Sequence, residues 1–521
     1  MYIEFYKIHG YEYARLRSSV RQGAEIKHSK SVALGRVLDK EKLIFRSRED
    51  GVFQYDPKTN TRNPPPAEFK AKLVRKTAAE KLIVDLGDVH FFNQYIKSLG
   101  LWPVFESVDY GNADTFKALL HYYIIESRSN AHAADWYEGS YARVLYPNAL
   151  LESPRISDML KRLGNEQVCR RFFRAYVAYL KQSSEASDKG AILIDSTGLP
   201  NDMRLPVTAV SNHNGDISNE VRLIYVVQRG TGLPIYMRYI PGNIVDVSTL
   251  LTTIAELKAL SVDTKFAILD AGYLTIDGMK KLLEQKVSFL ARAKKNWKFY
   301  KDLLVEHLPT LESKENLQVF NGRFVYINRI PYTLDNGQRI YCYLGLDDER
   351  RCNERRQLAK VAEENEYTSE ELADLMSRMG IFMLTSSRRI AVKDLLPLYY
   401  TRQDIEQVFD ITKGYAKALP LCVQTVETFR GHLLMVFMAT IVLRILQQKL
   451  VSTPYSLDDI LCVMKNQKAK VYDEYVIPCE ATRKQNDFYR IAKIKTEISI
   501  VRNVVNAGKP ESKASSPKNN P

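Results

Sequence analysis

The chain has 521 residues, of which 45% are hydrophobic and 26% are charged, and its formal net charge is +14. A chain of this length can bury a substantial core and is long enough for two to four domains or subdomains. Its six cysteines lie far apart without any C-x-x-C pair, which argues against a disulfide framework and a zinc ribbon and fits a reducing cytoplasm. The first residues lack the layout of a signal peptide.

The longest apolar run covers residues 433–446 and contains Arg444. This run is too short to span a bilayer. We therefore expect a buried core helix there, no membrane partner and a cytoplasmic location, associated with the nucleoid.

Positive charge is concentrated at the two ends of the chain. Residues 1–80 carry 17 Lys+Arg against 10 Asp+Glu, and residues 461–521 carry 12 against 6. The middle of the chain is therefore close to neutral. We predict that the ends contact a polyanion and that the middle contains the catalytic machinery.

The N-terminal segment alternates short β-like runs with basic residues. A period of two places Arg15 and Arg17 on the same face of a sheet, so we predict a small cationic sheet that contacts DNA. The alternative is an ordinary solvated polar face. Residues 77–185 show apolar residues at helical spacing and good helix starts, and this helical segment could either bind DNA or pack on the core.

From residue 189 onward the periodicity changes to that of strands. Residues 191–195 and 266–270 are apolar runs that each end in an aspartate, and an Arg-Gly-Thr-Gly turn joins two further strands into a hairpin. Helical segments then alternate with strands. A hairpin followed by β/α alternation predicts the α/β class with an RNase H-like core.

The predicted organisation has seven segments. In chain order they are a basic β-rich arm (1–66), a helical domain (77–185), the first part of the RNase H-like core (189–294), a β-rich insertion (295–380), the second part of the core (381–450), a C-terminal helical region (451–505) and a disordered tail (506–521).

Residues 399–413 carry polar residues at helical spacing. If the segment is one helix, offsets of 0, 3, 7 and 14 place four side chains within about 60° of one another. These residues are Tyr399, Arg402, Glu406 and Lys413. A neighbouring apolar stripe, made of Ile405, Val408 and Phe409, can seat the helix on a core. The alternative is a surface helix with an ordinary i,i+4 ion pair.

Three carboxylates could form a metal site in this fold. Asp195 and Asp270 each end an apolar strand, which is where open α/β sheets place their sites, and Glu406 lies on the amphipathic segment. Three converging carboxylates would repel one another unless Mg²⁺ or Mn²⁺ neutralised them. Two such ions can activate a water or a 3′-hydroxyl for phosphoryl transfer. Each aspartate alone could equally be a turn or cap residue.

The spacing Y-x2-R-x3-E-x6-K resembles the signature of a class of bacterial insertion-sequence transposases with a DDE catalytic core. Asp195 in Ile-Asp-Ser-Thr-Gly matches the first aspartate of that core, Asp270 in Leu-Asp-Ala-Gly-Tyr matches the second, and Glu406 matches the glutamate. The resemblance covers residues 190–450 and includes a β-rich insertion between Asp270 and Glu406.

The resemblance also implies contacts with DNA. It implies that Tyr399, Arg402 and Lys413 contact phosphates of the transposon ends. It makes Trp297 a candidate to stack on a flipped base, although Trp297 could equally pack at the root of the insertion.

The sequence thus predicts a transposase that binds terminal inverted repeats, cleaves DNA with two metal ions and joins the 3′-OH to target DNA. Its expected partners are double-stranded DNA and a second copy of the chain in a paired-end complex. No Walker motif is present, so no nucleotide cofactor is expected. The alternatives are an RNase H-like nuclease without strand transfer and a DNA-end-binding protein that does not cut.

Overall fold

The computed structural model describes residues 2–8, 11–22, 25–28, 31–47, 50–66, 82–126, 128–183, 190–211, 217–244, 249–364, 367–419, 421–472 and 475–501. The predicted disordered tail, residues 506–521, lies outside the described residues. The chain divides into two compact units, the first of residues 1–84, 469–479 and 497–521, and the second of residues 85–468 and 480–496.

Strands and helices are numbered in chain order. The strands are β1 Tyr2–Ile8, β2 Tyr11–Arg17, β3 Ser19–Gln22, β4 Glu25–His28, β5 Val32–Asp39, β6 Ile44–Ser47, β7 Gly51–Asp56, β8 Thr61–Asn63, β9 Leu82–Asp85, β10 Ala191–Pro200, β11 Ala209–Ser211, β12 Ser218–Gln228, β13 Leu233–Pro241, β14 Phe266–Leu269, β15 Ser288–Arg292, β16 Leu317–Phe320, β17 Arg323–Thr333, β18 Arg339–Asp347, β19 Ile381–Ser386, β20 Lys468–Val471, β21 Tyr475–Pro478 and β22 Ile500–Val501. The α-helices are α1 Gly87–Ser98, α2 Trp102–Phe105, α3 Ala113–Ile125, α4 Ala133–Gly139, α5 Ala142–Leu145, α6 Ser153–Leu163, α7 Glu166–Ser183, α8 Leu250–Ala259, α9 Ile276–Glu284, α10 Lys298–His307, α11 Asp348–Glu364, α12 Ser369–Ser377, α13 Val392–Tyr400, α14 Gln403–Gly414, α15 Val426–Leu450, α16 Leu457–Met464 and α17 Arg483–Ile491.

The first unit is built from strands. Its largest sheet has the order β1-β2-β5-β6-β7-β8, beside a β3-β4 hairpin and a four-stranded sheet in the order β22-β21-β20-β9. In β2, Ala14 and Leu16 are buried, so Arg15 and Arg17 share the opposite face, as the alternation predicts. Both arginines pair with Glu4, at 2.7 and 3.0 Å.

The structure contains strands in two segments where the sequence indicated helices. Strand β9 lies within residues 77–185, and β20, β21 and β22 lie within residues 451–505. The reason is visible in β20, where Ala469 and Val471 are buried while Lys468 and Lys470 are exposed. This alternation has the period of a half-buried strand, but four residues are too few to outweigh the neighbouring helical pattern.

The second unit is organised around a ten-stranded sheet. Five neighbouring strands follow the order β13-β12-β10-β14-β15. The pairs β13-β12 and β12-β10 are antiparallel, whereas β10-β14 and β14-β15 are parallel. Helix α8 leads from β13 into β14, and helix α9 leads from β14 into β15. This order is that of an RNase H-like core, so the predicted fold class is confirmed.

The strands between residues 317 and 386 extend the same sheet. Strand β19 pairs antiparallel with β15, and β18, β17 and β16 follow it outward in antiparallel pairs. Residues 295–380, the predicted β-rich insertion, contain β16, β17 and β18 but also α10, α11 and α12, and these helices hold more residues than the strands. The sequence pattern revealed the strands but not their partners, because alternation fixes which face is buried and not which edge a strand joins.

Helix α15 forms the centre of the second unit's helical layer. By length and composition it is the one helix among the described residues that could cross a membrane, but 89% of its most apolar stretch is buried inside the protein. The predicted buried helix is thus confirmed. Within this helix, Phe437 packs against Phe172, Tyr176 and Tyr225.

Helices α6 and α15 approach so closely that only glycine fits at the crossing. A Cβ atom on Gly431 would lie 1.9 Å from the carbonyl oxygen of Leu160, and one on Gly164 would lie 1.8 Å from that of Glu427. We expect Gly431→Ala to lower the free energy of unfolding by about 3 kcal/mol, because neither backbone can yield without repacking the core. Urea denaturation measures this loss. Gly139→Ala is the control, since its Cβ meets nothing within 4 Å, and an equal effect of both substitutions would contradict the close crossing.

Candidate active site

Two adjacent parallel strands position the predicted aspartates. In β10, residues Ile192 to Ile194 are buried, and in β14 all four residues are buried. Ile194 is paired with Leu269, so Asp195 and Asp270 come next in register on neighbouring strands. The chain thus brings the two carboxylates together at one edge of the sheet. Asp195 lies within β10, which continues to Pro200, whereas Asp270 follows the end of β14.

Arg402 bridges these carboxylates. Its Nη2 donates to Asp195 Oδ2 at 2.8 Å, and its Nη1 donates to Asp270 Oδ1 at 3.2 Å. Nη1 also donates to the Tyr399 hydroxyl at 3.1 Å. The side chain of Arg402 is 14% exposed, against 17% for Asp195 and 43% for Asp270. Four of the predicted site residues therefore meet at one place.

The expectation of one continuous helix over residues 399–413 is wrong. Helix α13 ends at Tyr400 and α14 begins at Gln403, with Arg402 as the residue before its first turn. Hydrogen bonds of the i→i+3 type tighten the backbone here, from Arg402 N to Tyr399 O at 3.2 Å and from Ile405 N to Arg402 O at 3.0 Å. The tighter turn changes the angular positions, since 3.0 residues per turn replace 3.6.

The predicted apolar stripe of this segment is buried, but the four polar side chains do not form the single stripe that was predicted. Ile405, Val408 and Phe409 are buried, whereas Glu406 and Lys413 are exposed. Among the residues that the structure describes, no three His, Cys, Asp or Glu side chains form a group that could hold a metal ion. The roles of Glu406 and Lys413 stay predictions.

The remaining predicted DNA contacts lie elsewhere. Trp297 precedes α10 and its ring packs against Phe299, with centroids 5.3 Å apart. That packing matches the alternative role at the root of the insertion and does not test base stacking. Arg15 and Arg17 belong to the first unit, and their contact with DNA also stays a prediction.

Burial sets the electrostatics of the site. Burial raises the pKa of Asp195, and the charge and hydrogen bond of Arg402 oppose that shift. Burial alone would lower the pKa of Arg402, but Tyr399, Asp195 and Asp270 more than offset it, so the pKa rises. Burial also raises the pKa of Tyr399. The guanidinium is therefore a permanent positive charge that neutralises carboxylates in a poorly solvated place.

The sequence match decides what kind of domain this is. Residues 186–442 match the family model described as the transposase DDE domain. These residues belong to the DDE transposase family. No curated protein matches the chain. A solved piggyBac transposase synaptic complex with hairpin DNA has a TM-score of 0.41 and 11% identity, covering 72% of this chain and 79% of that chain, so the family assignment rests on the sequence match alone.

DDE transposases use divalent metal ions, and the residues of this DDE domain fit such ions in part. Asp195 and Asp270 supply hard oxygen ligands of the kind that Mg²⁺ and Mn²⁺ prefer. Both contact one guanidinium, whose positive charge stands where a cation between the carboxylates would be placed. This arrangement supports two of the three predicted ligands.

Sequence reasoning missed two arginines of the DDE domain. Arg222 is buried and its Nη2 donates to Ser196 Oγ at 2.7 Å, next to Asp195. Arg323 of β17 donates from Nη2 to the Tyr400 hydroxyl at 3.0 Å and pairs with Asp347 at 3.3 Å. A charged residue inside the apolar run of β12 was a readable signal for Arg222. Arg323 carried none, because its role depends on how β17 joins the sheet.

Proposed function

We propose that this protein is a transposase that binds the terminal inverted repeats of its own element, cleaves the DNA there and joins the freed 3′-OH to target DNA. The observation that carries the proposal is the bridge from Asp195 through Arg402 to Asp270 at the edge of an RNase H-like sheet, inside a transposase DDE domain. Asp195 and Asp270 would hold divalent cations, with Glu406 as the proposed third ligand. Such cations supply activation of the attacking hydroxyl and stabilisation of the leaving oxygen.

The surrounding residues have distinct proposed roles. Arg402 and Tyr399 are linked by a hydrogen bond and lie beside both aspartates, so they can hold a phosphate at the reacting position. Burial of Asp195 and Arg402 keeps water from competing with these contacts. Lys413 is exposed further along α14 and is proposed to contact the DNA backbone. A paired-end complex of two chains would place two such sites on one synapse.

The proposal is tested with a labelled duplex that carries the element's own ends. The purified protein is incubated with this duplex and a target plasmid in Mg²⁺ or Mn²⁺, and products are resolved on denaturing gels. We expect cleavage at the element boundary and joined products that disappear in EDTA. Cleavage without joining would indicate a nuclease, and binding without cleavage would indicate an end-binding protein. A duplex with scrambled ends is the control for specificity.

A further inference from the structure

A cationic cavity lies beside β13, a strand of the same sheet that pairs only with β12 among the described strands. A cavity of about 550 Å³ is bounded by α7, by β13, by the end of α8 and by α15. Four arginines and two glutamates supply its charged groups. They are Arg170, Arg174, Arg238, Arg430, Glu166 and Glu256. The cavity therefore carries more positive than negative charge, and it has the size of a pocket for a small ligand or part of a larger one.

The arginines keep hydrogen-bonding capacity for a ligand. The ion pairs within the cavity are long, at 3.8 Å for Arg170 with Glu166, 3.7 Å for Arg238 with Glu256 and 3.5 Å for Arg430 with Glu166. All of these distances exceed the usual range of hydrogen bonds. Arg238 Nη1 is also buried without a hydrogen-bond partner among the described residues. An unpaired buried guanidinium nitrogen is costly, so a ligand oxygen at this position would be favourable.

The fourth arginine is held in place by the protein. Arg430 Nε donates to the Tyr239 hydroxyl at 2.9 Å, and its Nη1 donates to the Gly164 carbonyl at 3.0 Å. At the mouth, Arg170 and Arg174 are exposed on successive turns of α7. A fixed guanidinium inside and exposed ones at the rim suit a ligand with several negative oxygens, because each planar fork can bind two of them.

The cavity has a defined position relative to the aspartates. Asp195 is paired with Tyr225, and Tyr225 is paired with Met237, which lines the cavity. Adjacent strands lie about 4.8 Å apart, so the row of Asp195 and the row of Met237 are separated by about 10 Å across the sheet. Successive phosphates of a duplex lie within such distances of one another.

We propose that this cavity binds a backbone phosphate of the DNA on which the DDE domain acts. The inference rests on the proposed function, and it adds a contact surface on α7 and β13 that the predicted site did not include. Arg170 and Arg174 meet the phosphate at the mouth, while Arg238 binds it from inside. The contact positions the duplex and reads no base sequence.

The experiment compares two double variants with equal loss of charge. Arg170→Gln with Arg174→Gln removes two positive charges at the mouth of the cavity. Arg355→Gln with Arg356→Gln removes two positive charges from exposed positions of α11 and is the matched control. Binding to a labelled duplex is measured by fluorescence anisotropy in EDTA, at several salt concentrations. Working without metal keeps the result independent of cleavage and joining.

We expect the cavity variant to lose about tenfold in affinity, and the slope of log affinity against log salt to become shallower by about two. The control should change affinity less than twofold. Equal losses in both variants, or none in the cavity variant, would overturn the assignment. Arg238→Met is expected to weaken binding about fivefold, and circular dichroism checks that it folds.

Calorimetry with inorganic phosphate separates DNA from a free ligand. If wild type binds phosphate and the cavity variant does not, while both bind duplex equally, the cavity serves a free phosphate compound and the DNA assignment is wrong. If wild type binds no duplex at all, the proposed function fails, and phosphate binding alone decides whether the cavity is an anion site. If wild type binds neither the duplex nor phosphate, the cavity is not an anion site.

Discussion

Asp195→Asn is expected to bind a duplex carrying the element's ends as wild type does, yet to cleave it roughly 10³-fold more slowly. The asparagine keeps the size of the side chain and can still accept a hydrogen bond from Arg402, whose Nη2 lies 2.8 Å from Asp195 Oδ2 in the wild type. What it loses is the negative charge that a divalent cation requires. Stabilisation by such a cation contributes several kcal/mol in the transition state, which corresponds to about three powers of ten in rate.

Single-turnover cleavage in Mg²⁺ measures this loss, with anisotropy in EDTA for binding. Asp277→Asn is the matched control, because Asp277 is 83% exposed on α9 and pairs with Lys280 only at 3.6 Å. Its rate should stay within twofold of wild type. If Asp195→Asn also cleaves at the wild-type rate, the two-metal assignment is wrong. Glu406→Gln in the same assay decides whether the exposed glutamate of α14 acts as the third ligand.

The sequence allowed the two aspartates to be predicted because their signal is local. An apolar run of strand length that stops at a carboxylate places that carboxylate at the end of a buried strand, as seen for Asp270 after β14. The parallel pairing of β10 with β14 then brings the two carboxylates to the same end of the sheet. The same reasoning identified α15, whose apolar stretch is buried.

Features that depend on tertiary contacts could not be predicted in this way. The break between α13 and α14 occurs where Arg402 reaches both aspartates, and no residue at 400–402 is a helix breaker by itself. The cavity arginines come from α7, β13 and α15, more than 250 residues apart at the extremes. Only the packing of these elements reveals that their charges converge.

The chemistry proposed for this site requires its arginine to change partners. In the present arrangement the guanidinium of Arg402 donates one hydrogen bond to each of Asp195 and Asp270, so a divalent cation must compete with it for these carboxylates. Its pKa is raised by the same neighbours, and loss of a proton is therefore no route to release. The available route is exchange, in which a DNA phosphate takes the guanidinium as cations take the carboxylates.

Arg402→Gln is therefore expected to bind Mn²⁺ about tenfold more tightly than wild type in the absence of DNA, yet to cleave DNA more slowly. A unit charge about 4 Å away is worth about 4 kcal/mol at an effective dielectric constant of about 20, and the 43% exposure of Asp270 screens part of it. Electron paramagnetic resonance of free Mn²⁺ measures the affinity.

Arg355→Gln, on the exposed face of α11, should leave the affinity for Mn²⁺ unchanged. Adding Asp195→Asn to Arg402→Gln should abolish the gain, because the second carboxylate is then missing. Equal Mn²⁺ affinity in wild type and Arg402→Gln would show that the guanidinium does not compete with the cation, and the exchange would then have no basis.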